Sequence, residues 1–191
     1  MDHVVSSSAD VTDNPDELFD LVTPDDRVIG QIRRGEAHRN PALLHRSVQV
    51  LVFDDAGRVL LQTRSRSKDL FPGYACASAA GHVGSGDDYT HTAEREMREE
   101  LGVTLPLEFV ERVLVASPYE TELTALFVAR SNGPFVFHPQ ETAGGAFYSL
   151  EEISAARETG ALALTPAVEA ALEAVARLAQ TGELAARLAR L

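Results

Sequence analysis

The sequence predicts a mixed α/β sandwich, and three observations predict it. Short apolar runs with strand character outnumber helical patterns, they cluster before and after one central helix, and no regular βαβ repeat is present. The chain has 191 residues, enough for one domain that buries its own core. Hydrophobic residues make up 45% and charged residues 24%, which fits a soluble globular protein and excludes collagen, a coiled coil and wholesale disorder. No apolar run reaches the roughly 18 residues that a membrane-spanning helix requires. With 17 basic and 29 acidic residues the net charge is −12. Such a surface repels nucleic-acid backbone, yet a local basic patch can still hold a small phosphorylated ligand. The single cysteine, Cys76, excludes an intrachain disulfide framework and a multi-cysteine zinc site. The acidic N-terminus lacks the apolar core of a signal peptide, so the expected location is cytoplasmic.

The elements follow in order. Residues 1–17, rich in Ser, Asp and Asn, read as a disordered N-terminal tail, with a single domain over 18–191. FDLV (19–22) and VIGQI (28–32) flank the turn signal TPDD and form a hairpin. SVQVLVF (47–53), the turn DDAG and RVLLQTR (58–64) read as strand, turn, strand. FPG (71–73) breaks the chain, and YACASAAG (74–81) is extended backbone of small residues. Residues 87–102 are helical, with Asp88 as candidate N-cap and Gly102 at the C-terminal end. FVERVLVAS (109–117) and ELTALFVAR (122–130) are strands, GGAFYSL (144–150) ends in another, and LEEISAARE (150–158) is a short helix. The Ala/Leu-rich stretch 166–191 is helical, with Pro166 suited to a first turn. It is expected to cover the sheet; contact with a second copy is the alternative, so both monomer and homodimer stay open.

The central helix carries the chemistry. Glu96, Glu99 and Glu100 stand at i, i+3 and i+4, hence on one face. Three like charges there repel one another, an arrangement tolerated when a cation sits between them, and clustered oxygens suit Mg²⁺ or Mn²⁺. Met97 and Leu101 form an apolar stripe able to face the core. From charge alone, a solvated acidic face partnered by Arg95 and Arg98 is the simpler reading.

Spacing changes that weighing. Gly81, five residues, the acid Asp87, seven residues and then Arg95-Glu96-Met97-Arg98-Glu99-Glu100-Leu101-Gly102-Val103 resembles the Nudix box, departing from it only in Asp87, where the box has Glu. The resemblance implies an α/β/α sandwich with a mixed central sheet and a C-terminal helical segment. It further implies a divalent-metal hydrolase, with Mg²⁺ or Mn²⁺ as cofactor, that cuts a small-molecule diphosphate. Glu96, Glu99 and Glu100 then correspond to metal ligands, one of them able to orient or deprotonate water. Arg95 corresponds to an organiser of the carboxylates, with Asp87 as its partner one methylene short and Asp88 able to share that role. The backbone carbonyl near Ala80 or Gly81 adds a possible ligand.

A second resemblance, over about residues 18–150, is to the isopentenyl-diphosphate isomerase-like branch of Nudix proteins. It is carried by AHRNPALLHR (37–46), QTRSRSKDLFPG (62–73), AAGH (79–82) and ETELTALFVAR (120–130). The branch implies a second metal site at His38, His45, His82, Glu120 and Glu122, and a diphosphate site at Arg64 and Lys68. Ala80 stands where the isomerases carry their catalytic cysteine, and alanine cannot move a proton at a substrate carbon. Cys76, four residues earlier, is not assigned that role and reads as a small buried filler.

Bland readings stand beside these. His3, His91 and His138 read as surface or core residues, and His38 and His45 could cap or fray a strand edge. Glu120 and Glu122 share a strand face and read as a general base, a distal metal ligand or an exposed strand end. Arg64, Arg66 and Lys68 form a basic cluster, either a solvated loop or an anion site. Phe71, Tyr74, Phe135 and Phe137 read as packing rather than a base-stacking platform. The function expected is hydrolysis of a diphosphate linkage, of a nucleoside diphosphate or its derivative, by water attack on phosphorus. The alternatives are an isomerase-like enzyme and a noncatalytic nucleotide-binding module.

Overall fold

The computed structural model describes residues 14–68 and 70–191. The first element is a hairpin of β1 (Leu18–Val22) and β2 (Val28–Arg33), paired antiparallel as the turn signal predicts, followed by a single-turn helix α1 (Arg34–Ala37). Most of the expected tail, residues 1–13, lies outside the described residues. Residues 14–17 do not behave as a tail: Pro15 and Glu17 carbonyls accept from the amides of Gly35 and Arg34 and bind this segment to α1.

β3 (His45–Phe53) is the centre of the sheet. One edge runs parallel to β8 (Thr121–Arg130) from His45↔Glu122 to Phe53↔Arg130; the other pairs with β6 (Ala79–His82) and briefly with β1. The expected hairpin to β4 (Val59–Arg64) forms only at its neck, Phe53↔Val59. β4 then diverges to pair with β5 (Ala75–Cys76) and β9 (Thr142–Tyr148), while β7 (Glu108–Ala116) pairs with β8. All pairings but β3·β8 are antiparallel, so the sheet is mixed, as expected.

Alternation along β3 assigns its two faces. Val48, Val50 and Val52 face one core, against Ala93, Met97 and Leu101 of α2 (Tyr89–Leu101). Leu51 and Phe53 face the other, against Ile153 of α3 (Leu150–Glu158), Val168, Leu172 and Val175 of α4 (Pro166–Gln180), and Leu184 of α5 (Glu183–Leu188). Helices therefore cover both sides. Burying each such side chain contributes on the order of 1.5–3 kcal/mol.

Helix boundaries follow the capping rules. The Asp88 side chain accepts from the His91 amide, and Gly102 closes α2 with a left-handed φ of 67°. Pro166 takes the first turn of α4 behind an N-cap by Thr165. The C-terminal stretch is two helices rather than one, because Gly182, at φ 76°, turns the chain between α4 and α5. No helix among the described residues is long and apolar enough to cross a membrane.

Candidate active site

A cavity of about 690 Å³ opens beside the two central strands, and it gathers the residues that the sequence singles out. Its carboxylate wall comes from α2. Met97 and Leu101, both fully buried, fix the helix on the sheet and so turn Glu96 and Glu100 toward β6. Glu100 is 9% exposed; its carboxylate accepts from the Ala80 amide at 3.3 Å and from Gln62 Nε2 at 2.7 Å. Glu96 lies so close to Gly81 that a Cβ there would stand 2.0 Å from Oε1, so glycine is required by close approach. Glu99 is the exposed member of the trio, its side chain 56% accessible.

Burial gives these groups unusual acidity. Desolvation, reinforced by the Glu99 charge and opposed by Arg95, pushes Glu96 up to about 7. Desolvation and the neighbouring Glu96 push Glu100 up to about 8. Arg95 bonds Glu96 at 2.7 Å and Glu99 at 2.9 Å and so ties together two of the three carboxylates. Its implied partner Asp87 feels the Arg95 charge without a hydrogen bond to it among the described residues. Asp87 instead bonds His91 Nδ1 at 2.7 Å and accepts from Thr92 at 3.5 Å, because the short side chain at the helix N-terminus is saturated locally.

The opposite wall is an imidazole cluster. His38 stands at the C-cap of α1, His45 on β3, His82 on β6, and Glu120 immediately before β8. One ligand atom from each lies within 4.8 Å of all the others. The three ring Nε2 atoms converge on one carboxylate oxygen: Glu120 Oε2 is 3.2 Å from that of His38, 3.8 Å from that of His45 and 3.6 Å from that of His82. Glu122 Oε1 is 3.4 Å from His82 Nε2, and burial together with the charge of Glu120 raises its pKa. Desolvation and the nearby His82 bring His38 down to about 4, which keeps it neutral near pH 7. His45 Nδ1 faces the Leu43 carbonyl at 3.1 Å, so a proton on Nδ1 leaves the Nε2 lone pair aimed into the cluster. Arg34 Nη1, 3.3 Å from His82 Nδ1, must be the donor to that nitrogen, because guanidinium has no acceptor.

Two comparisons decide the family. The NUDIX domain family matches residues 43–170. A Nudix hydrolase of Yersinia pestis is 37% identical over 143 residues, covering 73% of this chain and 76% of the relative. The chain belongs to the Nudix family. A Nudix hydrolase of Deinococcus radiodurans is 34% identical over 146 residues, covering 73% of this chain and 83% of the relative. A crystal structure from the same organism superposes with a TM-score of 0.73 at 29% identity, covering 83% of this chain and 99% of the other.

The lining of this Nudix cavity also includes a basic element. Arg64 and Lys68 both line it; Lys68 Nζ is 2.6 Å from Glu141, and Arg64 donates to the Leu70 carbonyl at 3.0 Å. Arg66 is exposed and does not line the cavity. The first turn of α4 (Thr165, Pro166, Ala167) closes the same space and presents the positive end of a helix dipole.

Several bland readings need revision. Cys76 lines the cavity rather than filling a core, and burial pushes its thiol up to about 12, so it stays protonated. His138 also lines the cavity, with a buried Nδ1 that has no partner among the described residues. Phe71 lines the cavity in a left-handed conformation, φ 53°, against Tyr74 and Tyr119. Phe135 and Phe137 pack on the α2 core as expected, and His91 is an exposed partner of Asp87. His3 lies outside the described residues. Sequence reasoning missed Glu141, Arg34 and Gln62, which sit outside the box and reach the site through β9, α1 and β4.

Proposed function

We propose that this Nudix chain hydrolyses a diphosphate linkage with Mg²⁺ or Mn²⁺, by attack of water on phosphorus, and that its substrate is a nucleoside diphosphate or a derivative of one. The observation that carries this reading is the pair of buried carboxyls, Glu96 and Glu100, converging on Ala80–Gly81 in a cavity that also holds Arg64 and Lys68. Buried like charges are stable only when protonated or when a cation neutralises them. Carboxylate oxygens suit a hard divalent cation, which Glu96, Glu99 and Glu100 would hold. Such an ion, when bound, activates water and offsets charge on phosphate.

The rest is done by the chain. Arg64 and Lys68 hold phosphate oxygens, and an arriving anion competes with Glu141 for the Lys68 ammonium. Arg95 keeps Glu96 and Glu99 aligned. The converging imidazole nitrogens and Glu120 fit a second, softer site for Mn²⁺ or Zn²⁺, with Glu122 beside it. This cluster supports kinship with the isomerase-like branch. It does not extend to isomerisation, because Ala80 carries no titratable group.

The test is release of inorganic phosphate or nucleoside monophosphate from a panel of nucleoside diphosphates, nucleotide sugars and non-nucleoside diphosphates, each with Mg²⁺ and with Mn²⁺. Cation-dependent release from a nucleoside compound is expected. No release from any compound with either ion defeats the reading.

A further inference from the structure

One buried polar group on the cavity wall has no task in the reaction as described so far. Gln49 of β3 is 4% exposed and lines the cavity, and its Oε1 is buried without a hydrogen-bond partner among the described residues. Its neighbours across the strands do not supply one. Gln49 registers with Ala80 on β6 and with Leu126 on β8, and the Ala80 amide is already turned to Glu100. A buried acceptor without a donor destabilises a fold, so its place here calls for a partner brought by the ligand.

The position narrows what that partner is. Along β3, His45 belongs to the imidazole wall, Ser47 registers with His82, and Gln49 registers with Ala80, next to the carboxylate wall. Gln49 therefore lies on β3 between the register positions of the two walls and lines the cavity they share. A carboxamide oxygen only accepts. Phosphate oxygens of an ionised diphosphate also only accept, so they cannot satisfy it. Donors reach this position from the attacking water or from a hydroxyl of the nucleoside, and beside the carboxylate wall it is the water that the reaction requires.

We propose that Gln49 orients the attacking water: Oε1 accepts from one of its O–H bonds and leaves an oxygen lone pair facing phosphorus. The inference rests on the hydrolase reading above. In the step, the water oxygen bonds to phosphorus and the bridging P–O bond breaks. Its electron pair leaves with the departing phosphate. The O–H held by Gln49 stays on the new phosphate, and the second water proton passes to a carboxylate of the glutamate cluster.

The test is Gln49→Met, which keeps the length of the side chain and removes its hydrogen bonding. With a substrate from the panel, kcat is expected to fall about 100-fold. KM should stay within about twofold of wild type. Because the variant deletes an unsatisfied buried acceptor, its Tm should be unchanged or higher by about 2–4 °C. Three results would overturn the assignment. Wild-type kcat means the amide takes no part. A raised KM at constant kcat means the amide binds the substrate itself, at its phosphate or at a nucleoside hydroxyl, and not the water. A Tm several degrees lower, with kcat and KM both impaired, means the amide holds the fold. If the wild-type chain hydrolyses no diphosphate at all, the hydrolase reading fails first and this one with it, an outcome distinct from all three.

Discussion

The two walls of the cavity are built in opposite ways. The carboxylate wall comes from little more than one turn of α2, where Glu96, Glu99 and Glu100 share a face because the helix repeats every 3.6 residues. The imidazole wall takes one residue from each of four segments: the sheet register brings His45 opposite Glu122 and Ser47 opposite His82, and α1 adds His38 from its C-cap. The walls also answer pH in opposite directions. Burial keeps Glu96 and Glu100 protonated up to about 7 and 8, whereas it strips the proton from His38 above about 4. Glu96, Glu100 and His38 are thus each held in their neutral form at pH 6, by opposite proton movements. A wall made by helical periodicity is written locally; a wall made by register is written only in the fold.

The comparison can be broken most easily at the carboxylates. Glu99→Gln is expected to lower kcat by about 1,000-fold or more with little effect on folding, since Glu99 is exposed. His45→Gln, on the other wall, is expected to cost about 10-fold. Equal losses in steady-state assays would mean the two walls act as one site. A second change attacks the carboxylate wall from outside the helix. In Gly81→Ala the new methyl would collide with the Glu96 carboxylate and turn it aside. A fall in kcat of about 100-fold with Tm little changed is expected, because the clash is with the flexible end of a side chain. Unaltered kcat would show that Glu96 need not sit where it does.

The smallest effect is on stability, and its sign follows from the acidities. Glu96 and Glu100 titrate above their ordinary 4.5, so the stability they contribute is full below 4.5 and is lost as pH rises through 7 and 8. His38 titrates below its ordinary 6.5, so its contribution is present above 6.5 and is lost as pH falls toward 4. The effects oppose each other between 4.5 and 6.5, and only the carboxyls act above that. Chelated protein should therefore lose Tm between pH 6.5 and 8.5, by differential scanning calorimetry, and added Mn²⁺ should restore it most at the alkaline end. A flat or rising Tm over that window contradicts the burial of the pair.

Legibility in the sequence follows the same division. The β1–β2 hairpin, the N-cap Asp88, the stop at Gly102 and the Met97–Leu101 stripe are local signals, and all form as read. The four-residue α1 is too short to leave a periodic trace, and β4 leaves its hairpin because β6 and β8 hold the edges of β3. Asp87 could be matched to the box by spacing, but its partner could not, since one missing methylene hands it to His91. Glu141 and Gln49 belong to no motif. A loop glutamate beside Lys68 and a strand glutamine without a partner acquire meaning only when β3, β4 and β9 are assembled.

Everything said of the carboxylate wall requires that it grip a divalent cation. Crystals grown with Mn²⁺ and measured at the manganese absorption edge test this directly. The prediction is an anomalous peak among Glu96, Glu99 and Glu100, lost in Glu99→Gln or Glu100→Gln. Full Mn²⁺ in the crystal with no peak at those carboxylates would contradict it.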